Sequence, residues 1–76
     1  MNTPDDTLDA LGLLCPLPVL KARKRLAALR PGQILQMQAD DPAAVVDVPH
    51  FCNESGHVLL EMESEGAVLT FLIRRA

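Results

Sequence analysis

Two helices are predicted from the pattern of apolar residues and from end signals along the chain. The first is indicated by a three-four spacing of apolar residues over 16–30 and stops at Pro31-Gly32. Its buried stripe should consist of Val19, Ala22, Leu26 and Leu29. The second should begin at Asp41-Pro42, an N-cap residue followed by proline, and end at Gly56. Because Pro49 removes a helix hydrogen bond, it should kink or interrupt this second helix.

Four short segments are predicted to be strands: residues 7–11, 33–39, 57–63 and 67–74. The order βαβαββ makes the first two strands parallel neighbours and the last two an antiparallel hairpin. The expected fold is therefore an α/β (α+β) two-layer sandwich, with a four-stranded mixed sheet and two helices on one face. The uncovered face of the sheet should show Gln36, Gln38, Glu61, Glu63 and Thr70, with Leu59, Val68 and Leu72 among them.

The length of 76 residues favours one domain with a thin core. Residues 1–6 are polar and are expected to be a flexible N-terminus, which leaves residues 7–76 as the single domain. Hydrophobic residues make up 49% of the chain and charged residues 22%, which is typical of a globular protein.

Charge is unevenly distributed. The net charge is −3, yet five of the seven basic residues lie within residues 21–30. A basic segment on an acidic chain indicates a specific anionic partner surface more than general nucleic-acid affinity. With only Phe51 and Phe71 as aromatics, the chain lacks a stacking platform for RNA, so direct nucleic-acid contact is not expected.

The expected compartment is the cytoplasm. No signal peptide is recognisable, and no apolar run is long enough to span a membrane. Cys15 and Cys52 lie far apart with no ligand spacing, which indicates neither a disulfide framework nor a metal site. No nucleotide-binding motif is present, and no organic cofactor is expected.

The most informative motif is Cys15-Pro16-Leu17-Pro18. Proline suits the first helical position, so Cys15 is expected at the N-cap, with its sulfur at the positive helix end. A thiolate is favoured there, and thiolates are the nucleophilic form of cysteine. Because Pro18 has no N–H to donate, we expect the activation to be moderate. From these residues alone, Cys15 could equally be a small buried residue.

The motif and its surroundings resemble one known family. Residues 8–18 are similar to the N-terminal signature of TusA-like (SirA-like) sulfurtransferases, whose hallmark is Cys-Pro-x-Pro. The similarity continues through Asp40-Asp41-Pro42, Asp47-Val48-Pro49, Phe51-Cys52, Gly56-His57 and Ile73-Arg74-Arg75. It implies a βαβαββ sandwich like the C-terminal domain of translation initiation factor three. It also implies that Cys15 takes persulfide sulfur from a cysteine desulfurase or another donor protein and passes it to an acceptor protein.

The pathway is not identified by this resemblance. Members of the family serve transfer-RNA thiolation, molybdenum-cofactor supply and sulfur oxidation, and selenium chemistry would use the same cysteine. The best-known transfer-RNA-thiolation member has an acidic residue where this chain has Leu17. Two alternatives from other classes stay open: a noncatalytic regulatory module, and an RNA-binding module that uses the basic first helix.

Several other residues are assigned more modest roles. Leu17, Leu20, Lys21 and Lys24 should face outward as a partner-docking surface, or as a solvated cationic face. Cys52 is expected to pack in the core, although a resolving role stays open if it approaches Cys15. His50 and His57 should be turn or surface residues, and Asp40-Asp41 should cap the second helix.

Overall fold

A computed structural model describes residues 3–76 and contains six elements in the order βαβαββ. They are β1 (Asp6–Ala10), α1 (Leu17–Ala27), β2 (Ile34–Ala39), α2 (Ala44–Ser55), β3 (Val58–Glu65) and β4 (Val68–Arg74). The sheet order is β1-β2-β4-β3, with β1 parallel to β2 and the other neighbours antiparallel. Both helices pack on one face, which confirms the predicted two-layer sandwich.

Helix α1 is shorter than predicted at both ends. Pro16 is the N-cap, and its carbonyl accepts the N–H of Leu20 at 3.1 Å. Cys15 therefore lies one residue before the cap, so its predicted N-cap position is wrong. At the other end, the N–H groups of Ala28 and Leu29 bond to carbonyls three residues back, which tightens the chain into a turn.

Helix α2 begins at Ala44, not at the predicted Asp41-Pro42. The preceding residues form a turn in which the Ala44 N–H donates to the Asp41 carbonyl at 2.9 Å. Pro49 lies inside the helix without interrupting it. Gly56 ends the helix as predicted, with a φ of 79° that favours glycine.

The N-terminal segment joins the sheet earlier than predicted. The Asp5 N–H donates to the carbonyl of Ile34 at 2.8 Å, and the Asp5 carboxylate accepts the Ile34 N–H at 2.8 Å. Strand β1 then begins at Asp6. The predicted start of the first strand at residue 7 is therefore one residue too late. The flexible N-terminus over residues 1–6 stays a prediction, and residues 1 and 2 lie outside the described part of the chain.

An ion pair closes the outer edge of β1. Arg25 reaches from α1 to the carboxylate of Asp6 at 3.2 Å and donates to the carbonyl of Thr7 at 3.0 Å. The Thr7 N–H donates to the Asp6 carboxylate at 2.8 Å. Both backbone groups of Thr7 are therefore bonded to side chains.

The core lies between the helices and the sheet. Its largest fully buried side chains are Phe71, Leu26, Leu35, Met37, Ile73 and Val48. The predicted stripe of α1 is confirmed, because Ala22 and Leu26 are buried and Val19 and Leu29 pack partly buried against the core.

The predicted position of Leu59 on the uncovered face is wrong. Leu59 pairs with Ile73 and packs against the core, whereas Glu61 pairs with Leu72. A β-bulge between Leu59 and Glu61 adds one residue to β3. Because side chains alternate along a strand, the extra residue reverses the faces on its two sides.

Candidate functional site

Cys15 lies exposed in the loop between β1 and α1. Two carboxylates at the end of β2 hold this loop. Asp40 accepts the N–H of Gly12 at 2.9 Å, and Asp41 accepts the N–H of Cys15 at 2.7 Å. The backbone of the thiol-bearing residue is thereby tied to the sheet.

Asp41 has a second role in the turn before α2. Its other carboxylate oxygen accepts the N–H of Ala43 at 3.0 Å. The bonds from Cys15 and then Ala43 lower the pKa of Asp41, because they stabilise its charged form. The prediction that Asp40-Asp41 caps the second helix is wrong, because Ala43 is the N-cap of α2 and no side chain bonds to it as a cap. Sequence reasoning also missed the link from Asp41 to Cys15.

A cleft of about 260 Å³ opens beside Cys15 between the two helices. Its α1 wall includes Val19 and Arg23. Its α2 wall consists of Asp47, His50, Phe51 and Glu54. These four positions follow the spacing i, i+3, i+4, i+7, so they share one face of the helix. From that spacing, the sequence could have predicted that these four side chains share one face of α2.

The electrostatic surroundings raise the pKa of the Cys15 thiol. The largest cause is its side-chain hydrogen bond with Asp47, followed by partial desolvation and by the charges of Asp47 and Asp41. These effects stabilise the protonated thiol over the thiolate. The expectation that the helix end lowers this pKa is therefore wrong.

The weak effect of the helix end has a backbone cause. Pro16 and Pro18 have no N–H, and the Leu17 N–H is already bonded to the carbonyl of Leu14 at 2.9 Å. Two of the backbone donors nearest the thiol at this helix start are therefore missing and a third is occupied. Asp47 and Asp41 then dominate the surroundings of Cys15.

Phe51, in the α2 wall of the cleft, is buried. The guanidinium carbon of Arg23 lies 5.5 Å from the centroid of the Phe51 ring, in cation–π geometry. The ring of His57 lies 5.7 Å from that of Phe51, and its Nδ1 accepts the N–H of Ala76 at 3.0 Å. Desolvation and then the charge of Arg75 lower the pKa of His57. His57 therefore supports the structure near the last strand.

The second cysteine differs from the first in its exposure and in its place in the fold. Cys52 is 3% exposed and belongs to the core, as predicted. Desolvation raises its pKa to about 11. It is absent from the residues that line the cleft beside Cys15.

The predicted docking residues lie on one exposed stripe of α1. Leu17 and Leu20 are 46% and 48% exposed, and Leu14 in the preceding loop is 70% exposed. Lys21 and Lys24 continue the stripe and border a groove of about 360 Å³. Apolar surface therefore adjoins positive charge next to the loop that bears Cys15.

Residues 3–76 contain neither a cluster suited to a metal ion nor a helix suited to cross a membrane. No cluster of three or more His, Cys, Asp or Glu side chains could hold a metal ion there. No helix in that range is long and apolar enough to cross a membrane.

The chain is similar to a known protein family and to a solved structure. The family model for sulfurtransferase TusA matches residues 6–75. The chain is also similar to the solved structure of a SirA-like protein from Desulfitobacterium hafniense. The identity is 30%, the TM-score is 0.80, and the match covers 91% of this chain and 95% of that one.

Proposed function

Because the chain belongs to the TusA sulfurtransferase family, we propose that it carries sulfur as a persulfide on Cys15 and passes it to another protein. The observation that supports this most is the contrast between its two thiols. Cys15 is exposed in a loop tied to the sheet by Asp41, whereas Cys52 is buried in the core. Only Cys15 is accessible to a donor protein.

The proposed reaction is thiol–persulfide exchange. Cys15 attacks the outer sulfur of a persulfide on a cysteine desulfurase or another donor protein. A new sulfur–sulfur bond forms on Cys15 while the donor's sulfur–sulfur bond breaks, and the proton of Cys15 ends on the donor thiol. The reaction requires no oxidant, reductant or organic cofactor.

Asp47 and Asp41 suit a carrier that must release its sulfur. The two carboxylates oppose negative charge at Cys15, as the raised pKa of its thiol indicates. A persulfide that ionised there would meet the same repulsion, which favours transfer to an acceptor.

The docking surface we propose is the stripe of Leu17, Leu20, Lys21 and Lys24 on α1. It fits a partner with an apolar pocket and an acidic rim. The stripe begins directly after the Cys15-Pro16 pair, so a partner seated on it would have its own sulfur group close to the thiol. The donor, the acceptor, the pathway and the cytoplasmic location stay predictions.

The test is mass spectrometry after incubation with a cysteine desulfurase and cysteine. The expected product is an increase of one sulfur atom on the peptide that contains Cys15, which a reducing agent removes. Cys15→Ser should abolish it, and the matched control Cys52→Ala should keep it. A folded protein that gains no sulfur would favour the regulatory alternative instead.

A further inference from the structure

The cleft beside Cys15 carries opposite charges on its two walls. Arg23 stands on α1, and Glu54 stands on α2 with Asp47 closer to the thiol. Within residues 3–76, the ion pairs closer than 4 Å are Arg25 with Asp6 and His50 with Glu54. Arg23 and Glu54 therefore face a common space without neutralising each other.

The guanidinium of Arg23 is oriented before any ligand arrives. It lies over the ring of Phe51, and stacking leaves the edge of a guanidinium available for hydrogen bonding. That edge matches the two oxygens of a carboxylate. The α1 wall thus offers a site for a small anionic group.

The opposite wall offers a site for a cation. Glu54 has His50 as its only partner in the described range, at 3.9 Å, and that contact is attractive only when His50 is protonated. The Glu54 carboxylate is largely exposed and can turn toward the cleft. A ligand with an ammonium group would give it a second partner.

The size of the cleft limits the ligand. Its volume of about 260 Å³ lies just below the range of roughly 300–1,000 Å³ for drug-sized ligands. A single amino acid suits that space. Its α-carboxylate and α-ammonium match Arg23 and Glu54, and the thiol of Cys15 lies at the same cleft.

We propose that this cleft binds free cysteine persulfide and that Cys15 takes sulfur from it directly, without a donor protein. The proposal rests on the proposed function, in which Cys15 carries a persulfide. The α-carboxylate binds Arg23, the α-ammonium binds Glu54, and the outer sulfur meets Cys15. The chain would then accept sulfur from a small molecule through one side of α1 and from a protein through the other.

The chemical balance of this step is simple. The Cys15 sulfur bonds to the outer sulfur of cysteine persulfide, and the sulfur–sulfur bond of the donor breaks. Free cysteine leaves as a thiolate and takes up the proton that the Cys15 thiol loses. The transferred sulfur keeps its oxidation state, so no further reactant is needed.

The test compares three small donors by the rate at which Cys15 gains sulfur. Cysteine persulfide carries both charged groups, the persulfide of 3-mercaptopropionate lacks the ammonium, and the persulfide of cysteamine lacks the carboxylate. Glu54→Gln should slow loading from cysteine persulfide about threefold, as expected for one exposed ion pair, and leave the 3-mercaptopropionate donor unchanged. Arg23→Gln should slow cysteine persulfide by a similar factor and spare the cysteamine donor.

The matched control is Glu61→Gln, which removes the same charge from the uncovered face of the sheet and should change none of the rates. Equal effects of Glu54→Gln on all three donors, or none on any, would overturn the proposal. Loading by a cysteine desulfurase is measured in parallel. If that loading succeeds while the donors are not distinguished, the cleft proposal fails and the proposed function stands. If no donor, small or protein, loads Cys15, both fail.

Discussion

Cys52 should react very slowly with alkylating reagents in the folded protein. A Cys15→Ser variant, in which Cys52 is the remaining thiol, allows this rate to be measured. Burial raises the pKa of Cys52 to about 11. At pH 7 such a thiol is ionised in about one molecule in ten thousand, whereas a free thiol of pKa about 8.5 is ionised to about 3%. The shortage of thiolate alone should make Cys52 about 300-fold slower than free cysteine toward iodoacetamide.

Limited access slows Cys52 further. Its side chain is 3% exposed, so the reagent must wait for the structure to open. Time-resolved mass spectrometry with peptide mapping measures the rate, and free cysteine in the same buffer serves as reference. Unfolding in urea should restore the rate of a free thiol, which shows that the fold causes the protection.

The matched variant Cys52→Ala keeps Cys15 and should react at the wild-type rate. A Cys52 that reacts within about tenfold of free cysteine in the folded Cys15→Ser variant would refute the reasoning. Cys52 would then be accessible, and the assignment of sulfur carriage to Cys15 alone would lose its main structural support.

Three further predictions concern the site, the docking stripe and the core. Asp47→Asn should lower the pKa of Cys15, because it weakens the hydrogen bond that is the largest cause of the raised value and removes a nearby negative charge. The midpoint of alkylation rate against pH should move to lower pH, and an unmoved midpoint would contradict this account. Lys21→Glu with Lys24→Glu should slow sulfur transfer from a desulfurase at low salt while the reaction of Cys15 with neutral iodoacetamide stays normal. The defect should fade above ~0.1 M salt, where exposed charges are screened beyond ~10 Å, and equal transfer at low salt would count against the docking stripe. Leu26→Ala should cost about 2–5 kcal/mol of unfolding free energy, because Leu26 is 0% exposed between α1 and the sheet. Denaturant titration measures this loss, and a value below ~1 kcal/mol would mean that the core refills the cavity.

The order of the elements could be predicted from the sequence because local signals agree with one another. The apolar spacing of α1 and the glycine that ends α2, Gly56, are both recognised over a few residues, whereas α1 ends at Ala27, before the predicted stop at Pro31-Gly32. The β-bulge in β3 could not be predicted because the sequence from Leu59 to Glu61 looks like part of a regular strand. Only the pairing with β4 reveals the extra residue.

The candidate site was predicted in part. Cys15 and the exposed stripe of α1 follow from a motif and a helical period. The carboxylates around the thiol do not follow from such local patterns, because Asp41 and Asp47 are distant from Cys15 in the sequence and lie near it only in the folded chain. The pKa of Cys15 was expected to fall because the helix end was considered alone, without these two charges.

The closed edge of β1 has a consequence for the behaviour of the protein at high concentration. An edge strand normally offers unpaired backbone groups to which a strand from another molecule can bond, and this is a common start of aggregation. At Thr7 both groups are already taken by Asp6 and Arg25, so an approaching strand finds no partner there. The same contact pairs Arg25 with a carboxylate of its own chain, whereas no ion pair within residues 3–76 involves Lys21 or Lys24. Arg25 therefore serves the edge of the sheet, whereas Lys21 and Lys24, in the same basic cluster, belong to the docking stripe that we propose.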